Sequence, residues 1–172
     1  MIKHEIDLSE NKASEENNSI RIMFFCHGNI CRSPMAEFIF KKLASDRGVS
    51  NRFYVSSSAT STEEIYCGKG NPVYPPAKAE LTAHRICCDG KYAVQLRRAD
   101  YNDYDLFIGM DSANIRNMIR IFGDDNENKI RKLMDYTAQG GDVADPWYTG
   151  RFDISYRDIL SGCSALIDSL IR

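Results

Sequence analysis

The stretch CHGNICRSP at residues 26 to 34 most limits the folds open to this chain. It separates IRIMFF (20–25), a nearly unbroken apolar run, from MAEFIFKKL (35–43). An apolar run of that kind reads as a parallel strand covered on both faces. Pro34 suits the first position of a helix, and Ser33 just before it is a good N-cap. Phe38, Ile39 and Leu43 then recur at helical spacing, and Gly48 is a natural stop. A strand therefore turns tightly into a helix through a loop that must hold a cysteine, a glycine, an asparagine and an arginine.

Such a turn has a defined chemistry. Successive backbone N–H groups in a tight turn curl into an anion-binding nest, and the helix N-terminus adds partial positive charge. Arg32 supplies a planar fork able to grip two phosphoryl oxygens at once. Gly28 lets the backbone curve and a ligand approach closely. Asn29 tolerates a left-handed conformation and can hydrogen-bond within its own loop. The result is a bowl for a dianion with Cys26 at its base. Helix N-termini and neighbouring cations lower thiol pKa values by several units, and the Ser33 hydroxyl can point back at the sulfur, so Cys26 is expected as a thiolate. A phosphate monoester held there presents its phosphorus in line with a ready nucleophile. Cys-x5-Arg alone is a weak pattern, because buried cysteines usually serve as small hydrophobes. Of the six cysteines (26, 31, 67, 87, 88 and 163), however, only Cys26 has an arginine at that offset, and it alone sits between a strand and a helix start.

Further along, RFYVSSSAT (52–60) reads as a second strand and YDLFIGMD (104–111) as a third, with NKIRKLMD (128–135) as a fourth. Between them lie a Pro/Gly-rich loop, a short helix ending near His84, and SANIRNMIRIFG, a helix with Ile115, Met118, Ile119 and Phe122 on one stripe and Gly123 as its cap. A last helix runs from Asp153 to Arg172. Alternating strands and helices predict an α/β domain over residues 19–172: a four-stranded parallel sheet with helices on both faces and a phosphate-binding loop between strand 1 and helix 1. Residues 1–18 are polar and aperiodic and read as a mobile extension.

Composition narrows the partners. A net charge of −2 in 172 residues gives no electrostatic case for nucleic acid. No apolar run approaches membrane-spanning length, and the first residues lack a signal-peptide core, so a cytoplasmic protein with no membrane partner is expected. Three histidines (4, 27 and 84) and no paired Cys-x2-Cys spacing argue against a metal site, and reduced thiols are the expectation.

The motif CHGNICRSPMAE resembles the signature of the low-molecular-weight protein tyrosine phosphatases. SSATS (57–61), YDLFIGMDSAN (104–114) and DPWYTG (145–150) resemble further blocks of that family in the same order, so the likeness spans roughly residues 20 to 172. The resemblance implies hydrolysis of phosphotyrosine in proteins, or of small aryl phosphates, through a cysteinyl-phosphate, with inorganic phosphate as product and no cofactor or metal. Residue by residue it implies Cys26, Arg32 and Asp145 as catalytic, Asp145 being first the acid for the leaving phenol and then the base for water. His27, Gly28, Asn29, Ile30, Cys31, Arg32 and Ser33 match the phosphate-binding loop. Asn29, Ser33 and Ser57 match the polar network that orders it. Trp147 and Tyr148 match an aromatic wall, and Cys31 matches a redox partner for Cys26.

Three features depart from the family pattern. KYAVQL (91–96) stands where the family often has a histidine, so Lys91 or Tyr92 or another group must complete that network. Thr62, Glu63 and Glu64 follow SATS where an aromatic is common, leaving Ile65 or Tyr66 as an apolar wall and two carboxylates near the mouth, where they would repel acidic phosphopeptides. His27 occupies a variable position at the rim. Arsenate reductase, with Cys87 and Cys88 as a relay, is a rival, but adjacent cysteines form only a strained disulfide. Protein-arginine phosphatase, which tends to carry threonine where Ile30 stands, is another. A phosphotyrosine-binding module without activity is a third, which the presence of Cys26, Arg32 and Asp145 opposes.

Overall fold

The computed structural model describes residues 19–172, so the extension expected over residues 1–18 lies outside the described residues. In chain order the elements are β1 (Ile20–Cys26), α1 (Arg32–Asp46), β2 (Phe53–Ala59), β3 (Ile65–Tyr66), β4 (Lys69–Gly70) and α2 (Pro75–Ala83). They continue with β5 (Leu106–Gly109), α3 (Ser112–Phe122), β6 (Ile130–Lys132), α4 (Pro146–Thr149) and α5 (Phe152–Leu170). Four strands form one parallel sheet in the order β2-β1-β5-β6, and β3 and β4 make a small antiparallel hairpin.

The apolar run of β1 is explained by burial on both faces. Ile22 and Phe24 enter one core with Met35, Ile39 and Phe40 of α1, Leu81 of α2, and Ile159, Cys163 and Leu166 of α5. Met23 and Phe25 point the other way, into a second core with Phe107 of β5 and Met118 and Phe122 of α3. Alternation at period two thus divides one strand between two apolar layers. Asp111 caps α3 by accepting from the Asn114 amide at 2.7 Å, and Gly123 ends it in the left-handed region at φ 84°.

Topology then places the site. The chain leaves β1 through α1 toward β2 on one side and leaves β5 through α3 toward β6 on the other. Neighbouring strands whose connections diverge open a crevice beyond their carboxyl ends, which is where ligands bind in open parallel sheets. Here that crevice lies beyond Cys26 and Gly109, the last residues of β1 and β5.

Local details differ from the sequence reading. Helix α1 starts at Arg32, with Cys31 in the capping position and no side-chain cap, so Ser33 and Pro34 lie inside its first turn. The Ser33 hydroxyl is committed to Cys26 and Asn29 instead of to its own helix. The fourth strand is only three residues long. It gives way to a 3₁₀ turn over Leu133–Tyr136 that drives Leu133 and Met134 into the core beneath α5. Leu133 fits there because residue 162 is glycine; a Cβ at that position would lie 2.5 Å from Leu133 Cγ.

Candidate active site

Cys26 closes β1, and the residues after it wrap the floor of a cavity of about 540 Å³ before α1 begins. Asn29 makes the turn possible. It sits at φ 58°, fully buried, with three hydrogen bonds that hold it there. Its Oδ1 accepts from the Val94 amide at 3.0 Å, which fixes the orientation of the carboxamide. Its Nδ2 therefore faces, and donates to, the hydroxyls of Ser33 and Ser57, each at 2.9 Å. Because an amide nitrogen only donates, the Ser33 oxygen accepts from it and keeps its own proton for Cys26 Sγ at 3.0 Å. By the same logic Ser57 donates to Glu37 Oε2 at 2.6 Å.

Glu37 ends this chain of donors. It is buried, yet paired with Lys91 Nζ at 3.2 Å and Lys41 Nζ at 2.5 Å, which keeps it an acceptor. Lys91 also donates to the Ser57 carbonyl at 3.0 Å. Burial pulls the Lys91 ammonium below the ordinary lysine range, and Glu37 opposes that pull. Lys91 thus occupies the network that the sequence left open, whereas Tyr92 is exposed.

Arg32 is the cation of the bowl, with only 4% of its side chain exposed. Its Nη1 donates to Asp111 Oδ2 at 2.7 Å and to the Val143 carbonyl at 3.2 Å, and its Nη2 donates to Asp145 Oδ2 at 2.9 Å. Cys26, Asp145 and Asp111 all raise its pKa against the opposing effect of burial. Asp145 lies 113 residues away in sequence and still reaches the same cavity. Its other oxygen caps α4 by accepting from the Trp147 amide at 3.0 Å. Asp111 is the site residue that sequence reasoning passes over. Its aspartate-before-helix position reads as an ordinary N-cap, and nothing local reveals that its second oxygen holds Arg32.

The remaining residues singled out in the sequence divide between wall, rim and exterior. Trp147 and Tyr148 line one wall and are largely exposed, with Trp147 backed by Tyr74 at 5.3 Å. Gly28 and Ile30 line the floor, and a Cβ on Gly28 would lie 3.0 Å from Glu64 Cγ. Ile30 and Cys31 pack with Ala93, and Ile65 covers them. His27 sits at the rim, its Nε2 2.8 Å from Glu63 Oε2. Tyr66 is exposed on the β3–β4 hairpin and is not part of the cavity lining. Cys31 is a free, buried thiol pushed up to about 12, chiefly by desolvation and then by the charge of Cys26. Cys87 is exposed, Cys88 is buried, and neither lines the cavity. Among the described residues no group of His, Cys, Asp and Glu is placed to hold a metal ion, and no helix is long and apolar enough to cross a membrane.

A sulfur at the end of a parallel strand, a buried guanidinium at the start of the next helix and an aspartate across the opening define a cysteine-based phosphoryl-transfer enzyme. The model of the low molecular weight phosphotyrosine protein phosphatase family matches residues 21–172. The chain is 37% identical over 153 residues to the low molecular weight protein-tyrosine-phosphatase YfkJ of Bacillus subtilis, covering 88% of this chain and 96% of that one. It is 32% identical to PtpA of Staphylococcus aureus, covering 89% and 95%. The crystal structure of YfkJ from B. subtilis superposes with a TM-score of 0.81 at 35% identity over 89% of this chain and 95% of that one. A low molecular weight protein tyrosine phosphatase from Streptococcus pyogenes gives 0.77 at 35% identity, over 89% and 94%. The chain belongs to the low molecular weight phosphotyrosine protein phosphatase family, and its activity is that family's cysteine-dependent hydrolysis of phosphotyrosine.

Proposed function

We propose that Cys26 is the nucleophile, Arg32 the phosphate clamp and Asp145 the acid and base of this hydrolysis. The observation that carries the assignment is that the Arg32 guanidinium bridges toward Asp145 on the wall of the cavity whose floor holds the Cys26 sulfur. The phosphoryl oxygens of an aryl ester are held by the loop amides of residues 27–33 and by Arg32, which releases part of its grip on Asp111 and Asp145 to take them. The substrate ring stands against Trp147 and Tyr148. Cys26 attacks as the thiolate, with the Ser33 hydroxyl donating to it; the S–P bond forms while the P–O bond to the phenol breaks. The Asp145 proton goes to the departing oxygen, and the phenol leaves neutral. Asp145, now a carboxylate, takes a proton from water, whose oxygen attacks phosphorus; the S–P bond breaks, inorganic phosphate leaves and the thiolate returns. The scheme uses no metal and no cofactor.

The substrates of this reading are phosphotyrosine in proteins and small aryl phosphates, in a cytoplasmic setting, and the domain that acts on them spans residues 19–172. Ile30 fills the floor against Cys31 and Ala93, and a side chain larger than threonine there favours an aryl ester over a phosphoguanidine. Cys31 is the redox partner of this reading: once a peroxide has oxidised Cys26 to the sulfenic acid, the Cys31 sulfur displaces its hydroxyl as water and a disulfide forms.

Leaving-group dependence tests the assignment. Asp145→Asn should slow a phenyl phosphate with a poor leaving group by about 10²- to 10³-fold, while p-nitrophenyl phosphate, whose phenolate leaves unaided, loses far less. Parental rates on the poor leaving group would remove Asp145 from the acid role.

A further inference from the structure

A phosphotyrosine reaches Cys26 only after the polypeptide on either side of it meets the rim, and carboxylates dominate the charge there. Four carboxylates line the cavity, those of Glu63, Glu64, Asp111 and Asp145, against Arg32 and His27. Arg32 is buried between Asp111 and Asp145, so it is out of reach of the flanking chain. His27 leans on Glu63. Carboxylates outnumber cations in the lining whether or not that imidazole carries a proton. Trp147 and Tyr148, which are uncharged, complete the lining.

Glu63 and Glu64 are held in place by the phosphate loop itself. The Thr60 amide donates to the Cys26 carbonyl and the Ser61 amide to the His27 carbonyl, each at 3.0 Å, which fastens the segment before them along the loop. The Glu63 amide donates to Ser61 Oγ at 3.2 Å, and the Glu63 side chain remains 70% exposed. The Glu64 carboxylate accepts from Asn71 Nδ2 at 2.8 Å, and its stem lies against Gly28. Both charges therefore stand on a fastened backbone beside the phosphate bowl, where the residues next to a bound phosphotyrosine must pass.

Resting on the phosphatase reading, we propose that this acidic rim selects phosphotyrosines flanked by basic side chains and disfavours acidic flanks, with Glu63 and Glu64 as the specificity-determining residues. The floor recognises the dianion through amides and a guanidinium, and the rim sorts its carriers by the sign of their neighbours.

The experiment compares two phosphotyrosine peptides identical except for lysine or glutamate at the positions flanking the phosphotyrosine. In the wild-type protein at low salt, kcat/KM should favour the lysine peptide by about tenfold, because two partly exposed attractions in one peptide become repulsions in the other. The preference should shrink as salt is added. In a Glu63→Gln/Glu64→Gln protein it should fall to within about twofold. Each ratio is taken within one protein, so any general loss of activity cancels. Equal turnover of the two peptides by the wild type, or a tenfold preference that survives both substitutions, would overturn the proposal. Absence of turnover on p-nitrophenyl phosphate and on both peptides would sink the phosphatase reading, and this proposal with it.

Discussion

Lys91 shows how a single side chain can govern a loop it does not touch. It holds Glu37, Glu37 accepts the hydrogen bond of the Ser57 hydroxyl, and the Asn29 carboxamide then has hydroxyl oxygens to donate to on both sides. Ser33 is thereby left with its proton directed at Cys26. Removing the lysine leaves a buried carboxylate whose remaining cation is Lys41, with a side chain 45% exposed. Breaking a buried pair from one side costs about 3 kcal/mol, because the remaining charge is uncompensated. Lys91→Met should therefore lower the unfolding free energy by about that amount in urea titrations. Adding Glu37→Gln should recover more than half of the loss, since a glutamine carbonyl still accepts from Ser57 and no charge is stranded. A Lys91→Met protein as stable as its parent would show that the network is anchored elsewhere. The sequence raises only the question of what stands where a histidine is often found. Lys91 and Glu37 are far apart along the chain, and no local periodicity reports that they meet.

At the scale of elements, two helix starts share one device. Asp111 caps α3 with one oxygen and holds Arg32 Nη1 with the other; Asp145 does the same for α4 and Arg32 Nη2. The position of the guanidinium is thus set by where α3 and α4 begin. Two substitutions at residue 111 separate the two jobs. Asp111→Ala loses both, so it should cost about 1 kcal/mol of stability through the cap. Asp111→Asn keeps a capping oxygen and loses only the Arg32 pair, so it should melt above the alanine protein by the equivalent of the cap. Both should lower kcat/KM on p-nitrophenyl phosphate by about tenfold, the equivalent of one charge-assisted hydrogen bond to the clamp. Retained activity in the asparagine protein would mean that Asp145 and Val143 suffice to aim Arg32. Elements of this kind are legible where the signal is local. The apolar run of β1, the terminal glycine of α3 and the long last helix all follow from spacing, and so does the stripe of α3 except for Ile119, which is exposed. The first turn of α1 does not, because Ser33 has the chemistry of a cap and spends it on the nucleophile instead. The β3–β4 hairpin is equally hidden, since two residues per strand carry no periodicity.

For the whole molecule, the parallel sheet turns residues far apart in sequence into one site. Cys26 and Asp111 end up side by side because β1 and β5 are neighbours, with Phe25 paired to Gly109, and because their helices leave in opposite directions. That placement follows from strand order, which motif spacing alone does not reveal; only the family resemblance joins Asp145 to the loop in advance. The same architecture concentrates unbalanced charge in the bowl. Arg32 is shared between two carboxylates, and the cavity carries more acids than bases. A bound tetrahedral oxyanion would satisfy the loop amides and tie β1, α1, α3 and α4 together through one guanidinium. Ligand that binds only the folded state adds about 2.7 kcal/mol at a hundredfold excess over its dissociation constant. For a chain of this size each kcal/mol raises the melting temperature by about 2–4 °C, so inorganic phosphate at that excess should shift it by roughly 5–11 °C. Cys26→Ser keeps the amides and Arg32 and should show a shift of similar size. Arg32→Lys cannot grip two oxygens in one plane and should lose most of it. A full shift in the Arg32→Lys protein would place the anion somewhere other than this crevice.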